Sequence, residues 1–190
     1  MKILGFAGSA RTDSFNVKLL NIAARILADA AVEVDIFDFR QYPLPLYDGD
    51  LEASEGMPDN AKRFKAALVA CDGFLIASPE YNSAYSPLLK NAIDWASRAT
   101  SADDTPLQAF SNKTAVLIAT SPGALGGLRG LSVLKTLLGN IRVHVLPNQL
   151  AIPRAHEVFE NAGQLNDSLV AENLEQLMAE FVDFTQKLAR

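Results

Sequence analysis

The chain has 190 residues, 49% of them hydrophobic and 21% charged, with a formal net charge of −5. That is enough apolar material for one well-packed domain spanning residues 1–190, short for two, and too apolar for a disordered chain. The acidic balance, with lysines and arginines scattered singly, argues against nucleic acid as a partner. A lone cysteine, Cys71, excludes an intrachain disulfide, and His144 and His156 lie too far apart to suggest a metal site. The apolar run after Lys2 is too short for a signal peptide, and no run reaches membrane-spanning length. The expectation is a soluble cytoplasmic protein with no membrane contact.

Residues 2–16 read KILGFAGSARTDSFN, a short buried strand running into a turn of small and hydroxyl residues. Small side chains at Gly5, Ala7, Gly8 and Ala10 leave backbone N–H groups free to face an anion, and Ser9, Thr12 and Ser14 add hydroxyls. Arg11 adds charge and a planar fork of donors suited to phosphate. Apolar residues then recur at Val17, Leu20, Ala24 and Leu27, a helical spacing with Ser14 as its N-cap. The turn would therefore sit against the positive end of a helix.

Residues 32–37 alternate as an edge strand does, and residues 40–60 read as a long loop that Tyr42 and Tyr47 pin to the body. A helix follows from about Pro58 to Ala70, and the wholly apolar residues 73–77 predict a central strand. Next comes SPEYNSAYSP, residues 78–87, a polar and aromatic loop bracketed by prolines, which suits a ligand edge better than a plain turn. Ser86 and Pro87 open another helix, in which Trp95 is expected to be core. A fourth strand over residues 114–119 leads into TSPGALGGLRG, residues 120–130, whose glycines suit either close approach to a flat surface or positive φ. Helical spacing resumes at Leu131, a fifth strand lies near residues 143–145, and residues 147–167 are irregular yet apolar. That last segment is expected to contact a partner subunit. The chain closes on an amphipathic helix over residues 168–189 with Leu174, Leu177, Phe181 and Phe184 inward.

Apolar strands alternating with helices predict an α/β fold: a doubly wound five-stranded parallel sheet, order 2-1-3-4-5, with helices on both faces. In that order the three unusual loops follow three neighbouring strands and converge at one edge of the sheet. A phosphate site beside a polar edge and a glycine-lined wall meets the needs of a flavin mononucleotide (FMN). A dinucleotide site fits less well, because GFAGSA lacks the G-x-G-x-x-G spacing, and a P-loop is excluded for want of its G-K-[ST] ending.

GSARTDSFN at residues 8–16, PEYNSAYSPLLKNAIDW at 79–95 and SPGALGGLRG at 121–130 together resemble the NADPH-dependent FMN reductases of flavodoxin-like fold, which include quinone, chromate and azo-dye reductases. The resemblance implies that Ser9, Arg11, Ser14, Phe15 and Asn16 hold the FMN phosphate. It implies that Pro79, Glu80, Tyr81, Asn82 and Ser83 border the ring and ribityl chain, and that Ser121, Gly123, Gly126 and Gly127 line the ring's remaining edge. The implied activity is hydride transfer from NADPH or NADH through FMN to a quinone, free flavin, azo compound or metal oxyanion, in homodimers or homotetramers. Because the coenzyme carries the redox chemistry, no catalytic acid, base or nucleophile is expected from the protein. The motifs do not select among acceptors, nor between NADPH and NADH. The rival reading is a flavodoxin-type electron carrier, against which Arg11 counts: flavodoxins, by resemblance, cradle phosphate with hydroxyls and backbone groups.

Overall fold

The computed structural model describes residues 1–159 and 164–188. In chain order the elements are β1 (Lys2–Ala7), α1 (Phe15–Asp29), β2 (Glu33–Phe37), α2 (Gly49–Glu55), α3 (Asp59–Ala70) and β3 (Gly73–Ala77). A two-residue-per-strand hairpin of β4 (Glu80–Tyr81) and β5 (Ala84–Tyr85) precedes α4 (Pro87–Ala96) and β6 (Thr114–Thr120). There follow α5 (Leu128–Asn140), β7 (His144–Val145), β8 (Leu150–Ile152), α6 (Ala155–Val158) and α7 (Ser168–Leu188).

Strict alternation along the three central strands builds two cores. Leu4 and Phe6 of β1, Phe74 and Ile76 of β3, and Ala115, Leu117 and Ala119 of β6 face one side, against Phe64, Leu89 and Leu131 of α3, α4 and α5. Their neighbours Ile3, Leu75, Val116 and Ile118 face the other, against Leu20 and Leu27 of α1 and Leu174 and Phe181 of α7. Successive side chains on a strand point to opposite faces, so strands buried on both sides must be apolar through their middles, as residues 3–7, 73–77 and 115–119 are. Helices therefore cover both faces of the sheet, and Trp95 is fully buried.

Every pairing in the main sheet is parallel, and the order is β2-β1-β3-β6-β7, with β8 also paired to β6. The first four places match the expected order, but the strand count is six among the described residues, not five. The fifth place is shared: β7 pairs with the start of β6 and β8 with its end. Pro147 lies between them and has no N–H to donate, so the ladder is interrupted there.

The long loop over residues 40–60 holds a helix that the sequence reading missed. Asp48 caps α2 by accepting from the Asp50 and Leu51 N–H groups, and Gly56, at φ 76°, ends it. The loop is fastened to α4: the Asn91 amide donates to the Pro45 carbonyl at 2.8 Å and accepts from the Tyr47 N–H at 2.8 Å. Tyr47 meets Trp95 edge-on at 5.0 Å and donates to Glu52, which also pairs with Arg98. The Arg98 guanidinium lowers the Glu52 carboxyl pKa, which keeps that clamp ionised.

Between residues 147 and 167 the chain forms β8 and α6, and its apolar residues Ile152, Ala155, Val158 and Phe159 are buried in this chain's own core. Intrachain packing thus accounts for the apolar character that suggested a partner contact. Residues 160–163 of that segment, and Ala189 at the expected end of the last helix, lie outside the described residues.

Candidate cofactor site

The register of the sheet brings the three turns together. Ala7 pairs with Ala77 and Ala77 with Ile118, so β1, β3 and β6 deliver their following residues to one edge. The Gly8 N–H then donates to the Ala77 carbonyl and the Ser78 N–H to the Ile118 carbonyl, each at 2.9 Å. At that edge a cavity of about 130 Å³ is walled by Ser9, Arg11, Ser14, Phe15 and Asn16 after β1, by Pro79, Glu80 and Tyr81 after β3, and by Thr120, Ser121 and Pro122 at the end of β6. Small-molecule pockets run to roughly 300–1,000 Å³, so this enclosed part matches an anionic head group, with any attached ring in the open beyond it.

The donors are those an oxyanion needs. Ser14 caps α1, its Oγ accepting from the Val17 N–H at 3.4 Å while its own hydroxyl proton stays available. The N–H groups of Phe15 and Asn16 open the helix and have no intrahelical acceptor, so they and the helix dipole favour a negative charge in front of them. The Arg11 guanidinium is exposed and donates to the Asp13 carbonyl at 3.2 Å.

The Asn16 side chain has partners within the protein. Its side-chain amide donates to the Thr120 carbonyl at 2.9 Å and its Oδ1 accepts from the Thr120 N–H at 3.1 Å. Both groups are committed to tying α1 to β6, which leaves the backbone N–H as what Asn16 can offer a phosphate. Thr120 and Pro122 also wall the cavity without having been singled out. Their signal was position alone, at the end of a central strand.

Asn82 and Ser83 stand outside the cavity wall, at the tip of the β4–β5 hairpin, with φ of 52° and 64°. Two consecutive left-handed residues make the tight turn whose twist suits a hairpin, and asparagine tolerates that conformation well. Gly123, Gly126 and Gly127 also stand outside that wall. Gly126 and Gly127 have φ of 62° and 100°, and an added Cβ would fall 2.5 Å from the Ile152 carbonyl carbon and 2.6 Å from the Ala119 Cβ. Backbone conformation and packing require glycine at both. At Gly123 a Cβ would meet the Ser121 Oγ no closer than 3.6 Å, so this position leaves a bare backbone beside the cleft.

Cys71 lies before β3, at the end of the strand away from the cleft; burial pushes its thiol pKa up to about 11, which leaves it a poor nucleophile. Among the described residues no group of three His, Cys, Asp or Glu residues is arranged to hold a metal, and no helix is long and apolar enough to cross a membrane.

The family model for NADPH-dependent FMN reductases matches residues 1–157. The chain belongs to that family. Membership makes this reductase an oxidoreductase that uses FMN and NAD(P)H. It is 35% identical over 177 residues to an NAD(P)H-dependent FMN reductase of Pseudomonas aeruginosa, across 93% of this chain and 90% of the other. It is 34% identical to a 2-hydroxy-1,4-benzoquinone reductase of a Burkholderia species, across 96% of this chain and 93% of the other. Among solved structures, the flavoenzyme FerB of Paracoccus denitrificans, an NAD(P)H:acceptor oxidoreductase, superposes with a TM-score of 0.83 at 30% identity, covering 98% of this chain and 97% of that one.

Proposed function

We propose that this reductase is a single-domain enzyme that moves hydride from NAD(P)H through FMN to a small acceptor of the quinone type. The observation that carries this reading is the convergence of three turns on one cavity whose donors suit a phosphate. When bound, FMN would supply the two-electron chemistry of hydride exchange. The chain's own task is to bind and orient. Ser9, Arg11, Ser14 and the Phe15 and Asn16 N–H groups would hold the phosphate. Pro79 to Ser83 would border the ribityl chain and ring, with Ser121 and Gly123 on the opposite side, and with Gly126 and Gly127 shaping the turn behind them. The exposed Tyr81 marks the open rim through which nicotinamide and acceptor would enter in turn. A near-attack geometry of about 3–3.5 Å between reacting atoms is what such a rim has to permit.

Purified protein with FMN and a quinone is expected to consume NADPH through many turnovers per molecule of protein. An electron carrier would leave NADPH untouched in the same cuvette, and that result would replace the enzyme reading with the carrier one.

We further infer a homodimer or homotetramer in the cytoplasm. A groove of about 750 Å³ between α4 and α5, lined in part by Tyr85, Ile93, Val133, Leu137 and Ile141, supports self-association. Its charges, Lys90 and Asp94, cancel, and a two-fold contact needs one patch that complements itself. Sedimentation equilibrium is expected to give a mass of two or four chains, and the mass of one chain would remove the assembly.

A further inference from the structure

Helix α5 begins without a local cap. Gly127 occupies the N-cap position and has no side chain to accept from the first turn; the Leu128 N–H finds the Leu125 carbonyl, but the Gly130 N–H needs an acceptor from elsewhere. One comes from a residue 50 positions earlier: the Glu80 carboxylate accepts from the Gly130 N–H at 2.9 Å. Around that bond the helix lies close against the hairpin. An added Cβ on Gly130 would fall 3.1 Å from the Ala84 carbonyl oxygen and 3.2 Å from the Glu80 Cβ, and Arg129 donates to the Ser83 Oγ at 3.3 Å.

We propose that Glu80 is a positioning residue: its carboxylate clasps the amino terminus of α5, so that the turn after β3 and the turn after β6 form one wall of the cofactor cleft. The proposal rests on the cleft being the FMN site. It differs from a direct contact between the Glu80 side chain and the coenzyme, because the side chain acts through the Gly130 N–H. A carboxylate suits the place twice over, since it can bridge the gap and its charge is favoured at a helix amino terminus. Glu80 also lines the cleft, and the clasp sets where that part of the wall sits.

Three variants separate reach from charge. Glu80→Gln keeps a carbonyl acceptor at the same reach and is expected to bind FMN within about threefold of the parent. Glu80→Ala loses the acceptor and Glu80→Asp keeps the charge on a shorter arm; both are expected to weaken FMN binding by about tenfold, the scale of one lost hydrogen bond whatever its charge. The absorption fine structure of bound flavin should be blunted in the Ala and Asp variants and restored in the Gln variant. Affinity and spectrum unchanged in Glu80→Ala, with only thermal stability reduced, would overturn the positioning role. So would Asp behaving as the parent while Gln behaves as Ala, because the field of the charge would then be what matters. Amide hydrogen exchange at Gly130 reads the clasp with no coenzyme present: protection in the parent and in Gln, lost in Ala, is expected. If the parent binds no FMN yet this exchange pattern holds, the flavin reading fails while the clasp stands; if Gly130 exchanges alike in all four proteins, the clasp itself is gone.

Discussion

Arg11→Ala is expected to weaken FMN binding by roughly ten- to a hundredfold, the range set by a charge-assisted hydrogen bond worth about 1.5–3 kcal/mol. The guanidinium lines the cavity and its described partner is a backbone carbonyl, that of Asp13. Among the described residues no carboxylate neutralises it, so its charge is uncommitted in the protein alone. For the same reason the substitution should leave the fold alone: an exposed side chain with one weak contact contributes within about 0.5 kcal/mol of stability. Arg11→Lys should fall between the two, since an ammonium keeps the charge but lacks the planar fork that matches two phosphate oxygens. Fluorescence titration of FMN at two ionic strengths checks all of this, and the parent should lose more affinity with salt than Arg11→Ala does. Equal affinity in parent and Arg11→Ala would withdraw the residue from the phosphate.

What could be read from the residues was whatever periodicity or turn chemistry encodes locally. The runs at residues 3–7, 73–77 and 115–119 are apolar at every position because both faces of those strands are covered, and that is visible in one dimension. Ser14 and Ser86 announced helix starts because a hydroxyl before a helical spacing has a defined job at the N-cap. Non-local commitments were hidden. Nothing in the string says that the Asn16 amide is occupied by Thr120, 104 residues away, or that Glu80 reaches the α5 amino terminus. The glycines left two readings open for a related reason: a glycine needed for φ and one needed for a bare surface look identical in a sequence, and only the backbone and the packing of Ile152 and Ala119 separate them. Helix α2 was obscured by the prolines and glycines around it, although Asp48 carries a capping signal of the same kind as Ser14.

Asn16→Ala is expected to destabilise the protein by about 2–6 kcal/mol, a large part of the 5–15 kcal/mol that holds a domain folded. Asn16 and Thr120 are only 5% and 2% exposed, so little water reaches the groups the amide leaves behind even though both residues wall the cleft. The substitution strands a backbone N–H and a backbone carbonyl together, and each buried unpaired group costs roughly 1–3 kcal/mol. Asn16→Asp should be no better, because it keeps the acceptor for the Thr120 N–H but sets a buried negative charge against the Thr120 carbonyl. Urea denaturation should show the midpoint falling with the slope unchanged, the sign of lost stability in an otherwise similar native state. The two variants then separate cleanly. Arg11→Ala should lose FMN affinity and keep its midpoint, while Asn16→Ala should lose its midpoint and regain part of it when FMN is added, since a ligand that binds only the folded state stabilises it by mass action. An Asn16→Ala protein as stable as the parent would mean that the Thr120 groups find other partners, and that the tie between α1 and β6 is not what holds the phosphate turn in place.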